Sequence, residues 1–216
     1  MNKIAIIIGA TGLVGNQLLQ LLLTDDTFSC VKIFVRRKTG IVDPKLKEYV
    51  IDFDDIEKYK SEITGDVLFS CLGTTLKQAG SKEAQYKVDY TYQFVFAHLA
   101  SKNSIQDYVL VSSAGANANS SVFYSKIKGE LEQSVKQLPF KQIVIVQPSV
   151  LKGERKEHRT GEKVGAFIID GIAKILPPLR KYRSISGHQV ANALVRFYKL
   201  ENKLPFSVYK LDELFE

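Results

Sequence analysis

IAIIIGATGLVG, residues 4–15, decides the fold. An unbroken apolar run such as Ile4–Ile8 suits a strand buried on both faces, and Gly9, Gly12 and Gly15 follow it at once. From Leu13 to Thr24 the chain is leucine-rich, which predicts a helix packed against that strand. Strand, glycine turn and helix in this order are far stronger evidence than a lone glycine pattern. Gly9 allows a tight turn, Gly12 the close approach of a pyrophosphate to backbone, and Gly15 the packing of helix on strand. The first turn of the helix then offers unpaired N–H groups and partial positive charge to phosphates.

Similar apolar runs recur outward from this stretch: VKIFV (31–35), DVLFSCL (66–72), YVLV (108–111) and IVIV (143–146), with a shorter YVID at 49–52. Between them, Val88, Tyr92, Val95 and Leu99 recur at helical spacing, as do Ile127, Leu131, Val135 and Leu138. Alternating strand and helix predict an α/β fold, a doubly wound parallel sheet of Rossmann-like type. Right-handed crossovers gather the strand C-terminal ends on one edge, where ligands bind. Beyond Pro148 the pattern changes. Lys152 to Glu162 is polar, and VGAFIIDGIAKIL (164–176) and His188 to Leu200 read as helices. The expectation is a single domain over 1–216, with a cofactor-binding core at 1–150 and a small C-terminal lobe at 151–216 on the substrate side.

A chain of 216 residues and 24.2 kDa fits one domain with a sizeable core. No apolar run approaches the roughly 18 residues that span a membrane. The start resembles a weak signal peptide, but its apolar run stops at Gly9, so a cytoplasmic protein is expected. Cys30 and Cys71 read as free thiols. The net charge of +7 is uneven: nine Lys or Arg between Lys152 and Arg183 face four acidic residues. Lys32, Arg36, Arg37 and Lys38 form a second knot. Either cluster can attract an anionic ligand, or form a solvated face. No zinc-finger spacing or nucleic-acid module is present, so DNA and RNA are not expected partners.

At the end of the second strand of a dinucleotide fold an acidic residue binds a ribose 2′-hydroxyl, whereas this chain has Arg36 and Arg37. Cations there favour a 2′-phosphate, hence NADP rather than NAD, unless the guanidiniums simply face solvent. Asp52 can meet the adenine amino group or serve ordinary turn chemistry.

VLVSSAGANANSSVFYSKIKGELE, residues 109–132, carries the second signal. Tyr124 and Lys128 are four apart and so share a helix face. A lysine cation beside a phenol favours loss of the phenol proton, so Tyr124 can exchange a proton with a carbonyl or alcohol. Ser113 or Ser112, just past the strand YVLV, can hydrogen-bond the same substrate oxygen. The structural alternative is a packed Tyr124 and a solvated Lys128.

With those residues in view, the sequence resembles the short-chain dehydrogenase/reductase superfamily in its atypical branch. GATGLVG matches the glycine motif, and LVSSAGAN followed by YSKIK matches the Ser…Tyr-x-x-x-Lys active site. CLGTTLKQAG (71–80), RRK (36–38) and QPSVLKGER (147–155) are similar to Tat-interacting oxidoreductase-like proteins and their bacterial relatives. The resemblance implies an NADPH-binding Rossmann fold, with cofactor contacts at Gly9, Thr11, Gly12, Leu13 and Val14. It implies Tyr124 as proton donor or acceptor, Lys128 on the nicotinamide ribose and Ser113 orienting substrate. Cys71, Leu72, Gly73 and Thr74 would line the cofactor, and Pro148 to Val150 would pass the nicotinamide. Three departures stand out: the 71–74 loop replaces Asn-Asn-Ala-Gly, Asp89 stands where typical members carry a helix Asn, and Gln147 replaces an Arg.

Cys71 as a thiolate nucleophile is conceivable, but a small buried filler is the simpler reading. His98, His158 and His188 are scattered and offer no metal spacing. The leading expectation is an NADP-dependent oxidoreductase acting on a small carbonyl or alcohol, with an anionic substrate suggested by the basic C-terminal lobe. An NADPH-sensing module that docks a protein partner and an enzyme resembling nucleotide-sugar epimerases are the alternatives.

Overall fold

The computed structural model describes residues 2–152, 182–201 and 204–215. In chain order the strands are β1 (Lys3–Ile8), β2 (Phe28–Val35), β3 (Leu46–Val50), β4 (Val67–Ser70), β5 (Asp107–Val111), β6 (Gln142–Gln147), β7 (Leu151–Lys152), β8 (Ile185–Ser186) and β9 (Phe206–Lys210). The described helices are α1 (Leu13–Thr24), the short α2 (Leu76–Ala79) and α3 (Lys82–Tyr86), α4 (Tyr92–Lys102), α5 (Phe123–Val135) and α6 (Gly187–Tyr198). Lys87–Thr91 is a π-helical segment joining α3 to α4, and Phe53–Glu62 is a 3₁₀ segment kinked at Asp55.

Seven strands form one parallel sheet in the order β3-β2-β1-β4-β5-β6-β9, and β7 pairs with β8 apart from it. This is the expected doubly wound α/β sheet. Strand alternation divides its side chains between two cores. Ala5 and Ile7 of β1 join Leu18, Leu19 and Leu22 of α1 and Val190 and Leu194 of α6 on one face. Ile6 and Ile8 join Phe96 and Leu99 of α4 and Leu131 and Val135 of α5 on the other. Both faces are covered, which is why the strands read as unalternated apolar runs.

The strand order reverses between the neighbouring strands β1 and β4. The loops after β1, β4, β5 and β6 therefore open on one edge at the switch point, where ligands of open α/β sheets bind.

Two boundaries differ from the sequence reading. The short third strand is LKEYV rather than YVID, so Asp52 lies beyond it and caps the 3₁₀ segment, accepting from the Asp54 N–H at 2.9 Å. At the other end of the chain, α6 packs in one core and β9 extends the main sheet, so residues after Gly187 help complete the domain. The expected polar loop and the helix at 164–176, His158 and most of the basic 152–183 segment lie outside the described residues. No described helix is long and apolar enough to cross a membrane. Among the described residues, no group of three or more His, Cys, Asp or Glu is placed to hold a metal ion.

Candidate active site

Gly9 holds the turn after β1 at φ +82°, a left-handed conformation that side chains disfavour. A Cβ there would also stand 2.5 Å from the Cys71 carbonyl and 2.6 Å from the Leu72 nitrogen. The first glycine thus does two things: it turns the chain and lets the loop after β4 close against the loop after β1. Gly12 donates its N–H to the Gly9 carbonyl at 3.0 Å and begins α1 without a side-chain cap. The first-turn amides of that helix have no intrahelical partner and are open to an anion. Thr11 and Gly12 are exposed and Leu13 is half-buried. Val14 is buried in the α1 core, so only its backbone can serve a ligand.

Arg36 and Arg37 follow β2 at the same edge, exposed and paired with no carboxylate among the described residues. The loop that carries them is tied down by Glu48 of β3, whose carboxylate accepts from the Thr39 N–H at 2.9 Å and from the Thr39 hydroxyl. Nothing in the sequence flagged Glu48. Asp52, also exposed, spends Oδ1 on its cap.

The loop after β4 is where the buried charges converge. Lys128 of α5, 2% exposed, places Nζ 2.8 Å from Oδ1 of Asp89, which is fully buried on the π segment. Asp89 Oδ2 accepts the Thr74 N–H at 3.2 Å. A Cβ on Gly73 would lie 3.5 Å from Asp89 Oδ1 and 4.0 Å from Lys128 Nζ, which puts the exposed Gly73 directly over the pair. Burial works against the charge on Lys128, but the Asp89 carboxylate, helped by Tyr124 and Glu132, outweighs it and leaves the lysine pKa raised. The stabilisation that accompanies this shift is present below the ordinary lysine pKa of about 10.4 and is lost only as pH climbs through the raised value.

Tyr124 stands one turn before Lys128, its ring centroid 5.9 Å from Nζ. Unlike the lysine it is 38% exposed. The two side chains lie side by side, with the cation inside and the phenol open. Gly129 allows the approach of the β5–α5 loop: a Cβ there would fall 2.1 Å from the Ala118 nitrogen. With that loop lying on α5, the residues just after β5 are brought alongside the helix face.

Which serine is available follows from a buried triangle. The Ser112 hydroxyl donates to Glu132, and Gln147 Nε2 donates to both oxygens of the same carboxylate, at 2.9 and 3.1 Å. Ser112 is buried and engaged, while Ser113 is half-buried and leaves its side chain for a ligand. Glu132 was missed by the sequence reading, although it lies on the helix face of Tyr124 and Lys128, four residues beyond the lysine. Gln147 takes the position of the Arg noted above and serves this triangle. Pro148 is buried, its carbonyl accepting from Ala114 N–H at 3.0 Å, and Val150 is 37% exposed.

Cys71 is half-buried against the α1 core, and burial pushes its thiol pKa up to about 12. It stays protonated at neutral pH and is no nucleophile. Iodoacetamide at neutral pH is expected to leave Cys71 unmodified in the folded protein, and peptide mass mapping reads this; rapid labelling would restore the thiolate reading. His98 stacks on Phe94 at 6.2 Å between ring centroids and His188 is exposed.

Comparison with known proteins identifies the family and the fold. The sequence profile of a family described as NAD(P)H-binding matches residues 9–199. The chain is 34% identical over 181 residues to Protein fmp52, mitochondrial, of Emericella nidulans, covering 81% of this chain and 78% of that protein. It is 36% identical over 165 residues to Protein HTATIP2 of Rattus norvegicus, covering 74% and 68%. Among solved structures, a short-chain dehydrogenase/reductase superfamily protein from Agrobacterium tumefaciens with bound NAD superposes with a TM-score of 0.73 at 13% identity, covering 96% of this chain and 77% of that one. Thermus thermophilus UDP-glucose 4-epimerase in complex with NAD gives 0.71 at 14% identity, over 96% and 77%. These last two are likenesses of fold. The cytoplasmic location expected from the sequence does not hold, because fungal relatives at this level of similarity are named as mitochondrial proteins.

Proposed function

This chain belongs to the NAD(P)H-binding family, and from that premise we propose that it is an NADP-dependent oxidoreductase of the atypical short-chain dehydrogenase/reductase type, acting on a small carbonyl or alcohol. The observation that carries the proposal is the open Tyr124 phenol beside the buried, ion-paired Lys128 ammonium, on the sheet edge that also bears the glycine turn.

The residues present suit a dinucleotide. Leu13 and Val14, in the uncapped first turn of α1, offer backbone N–H groups to a pyrophosphate, Arg36 and Arg37 offer free guanidiniums to a 2′-phosphate, and the Asp52 oxygen not used in capping can accept from the adenine amino group. Cys71 to Thr74 and Pro148 to Val150 would flank a bound nicotinamide. When bound, NADPH supplies the hydride that a carbonyl substrate needs. Tyr124 gives its hydroxyl proton to the oxygen that becomes the alcohol, or takes it back in the reverse direction. Lys128 stabilises the phenolate so formed and would hold the nicotinamide ribose of a bound coenzyme. Ser113 donates a hydrogen bond to the same substrate oxygen, which fixes the carbonyl for attack.

Calorimetric titration with NADPH and NADH tests the coenzyme assignment. Arg36→Ala and Arg37→Ala are each expected to weaken NADPH binding by about 1.5–3 kcal/mol, the worth of a charged hydrogen bond, with NADH affinity unchanged. Variants that both keep the parent's preference for NADPH would contradict NADP specificity. A cofactor sensor without turnover remains distinguishable: it binds NADPH but oxidises none of it against a panel of aldehydes and ketones.

A further inference from the structure

The buried pair of Asp89 and Lys128 has more to do than balance a charge. Breaking such a pair from one side is costly, yet replacing both partners with well-packed apolar groups is often neutral or stabilising. Stability alone therefore does not account for two ions that are 0% and 2% exposed. What the apolar version cannot do is hold an ammonium at a set place.

The support around Asp89 is built for that task. Its backbone carbonyl accepts Gln93 Nε2 at 2.9 Å, and Gln93 Oε1 accepts the hydroxyl of Ser70, the last residue of β4, at 2.7 Å. The backbone around Asp89 is π-helical only over Lys87–Thr91, and single π turns inside α-helices are frequent at functional sites. One carboxylate oxygen meets Lys128 and the other meets the Thr74 N–H.

We propose that Asp89 is a positioning residue: its carboxylate ties the Lys128 ammonium on α5 to the backbone of the 73–74 loop, so that cation and loop are presented to the crevice as one unit. The groups facing Lys128 are Asp89 from the π segment and Tyr124 and Glu132 from its own helix, and Glu132 is itself held by Ser112 and Gln147. Asp89 is thus the one direct anionic partner of Nζ among the described residues. Without it, burial acts on Lys128 with much less opposition, and the lysine gives up its proton at lower pH.

The proposal rests on the functional reading above only where NADPH is the probe, so its test has two arms on the full chain carrying Asp89→Asn. The first follows the Lys128 Nζ resonance by nitrogen NMR, assigned by its loss in Lys128→Met. Parent protein is expected to titrate above the ordinary lysine value, and Asp89→Asn to lower the proton affinity of the ammonium by at least about tenfold, one pH unit. The second measures NADPH affinity by fluorescence from neutral pH up to just below the parent midpoint found in the first arm. The parent is expected to vary little, while Asp89→Asn weakens by about tenfold as pH rises through its lowered midpoint. A purely structural Asp89 would lower the melting temperature and leave both curves where they were, which overturns the proposal. If the parent binds no NADPH, the coenzyme reading fails and the resonance arm decides alone. If Asp89→Asn does not fold, the parent decides: a Lys128 midpoint below about 9 would refute a carboxylate-held ammonium.

Discussion

Tyr124→Phe is expected to cut turnover by about 100- to 10,000-fold, the usual worth of a general acid or base, and to leave NADPH affinity as it was. The separation follows from the geometry. The ring is 38% exposed and its removal of one hydroxyl opens no cavity, so stability should change by no more than about 0.5 kcal/mol. Lys128 keeps its Asp89 partner in the variant, so the ribose contact assigned to it survives. Stopped-flow oxidation of NADPH against an identified carbonyl reads the chemical step, and calorimetry reads binding. Full turnover in the variant would remove Tyr124 from the mechanism.

Gly9→Ala is expected to act on the fold and on the crevice together. The added methyl faces two penalties at once. A non-glycine residue at φ +82° costs about 1–3 kcal/mol in strain, and a Cβ 2.5 Å from the Cys71 carbonyl forces backbone apart at about 1–3 kcal/mol more. The neighbour is backbone, with no flexible side chain to swing aside. Urea unfolding should show a loss of about 2–6 kcal/mol on those two contributions. NADPH binding should fall as well, because the displaced loops at 9–13 and 71–74 are two of those that border the proposed crevice. A variant with unchanged midpoint and affinity would mean that the turn is not built this way.

What could be read from the sequence, and what could not, follows from how each element is buried. β1, β2, β4, β5 and β6 lie inside a sheet covered on both faces and announce themselves as apolar runs. β9 is an edge strand with Val208 exposed, so FSVYK carries no such run and was invisible. Tyr124 and Lys128 were legible because helix spacing alone brings them together. The choice between Ser112 and Ser113 was not, since it depends on Glu132 and Gln147 reaching the first serine from different elements. Asp89 was visible only as a departure from a family pattern; that its carboxylate meets Lys128 required the fold to lay the π segment against α5. The location of the protein was misjudged because a short apolar start says little about where a chain is sent, and similar fungal proteins are named as mitochondrial.

The most direct measurement is a crystal structure grown in saturating NADPH. The account predicts continuous density for the dinucleotide from the Gly9–Leu13 turn, past Arg36 and Arg37 at one end, to a nicotinamide ribose on Lys128 and a ring facing the Tyr124 hydroxyl at the other. An empty crevice under those conditions, or a nicotinamide lodged away from Tyr124, would contradict it.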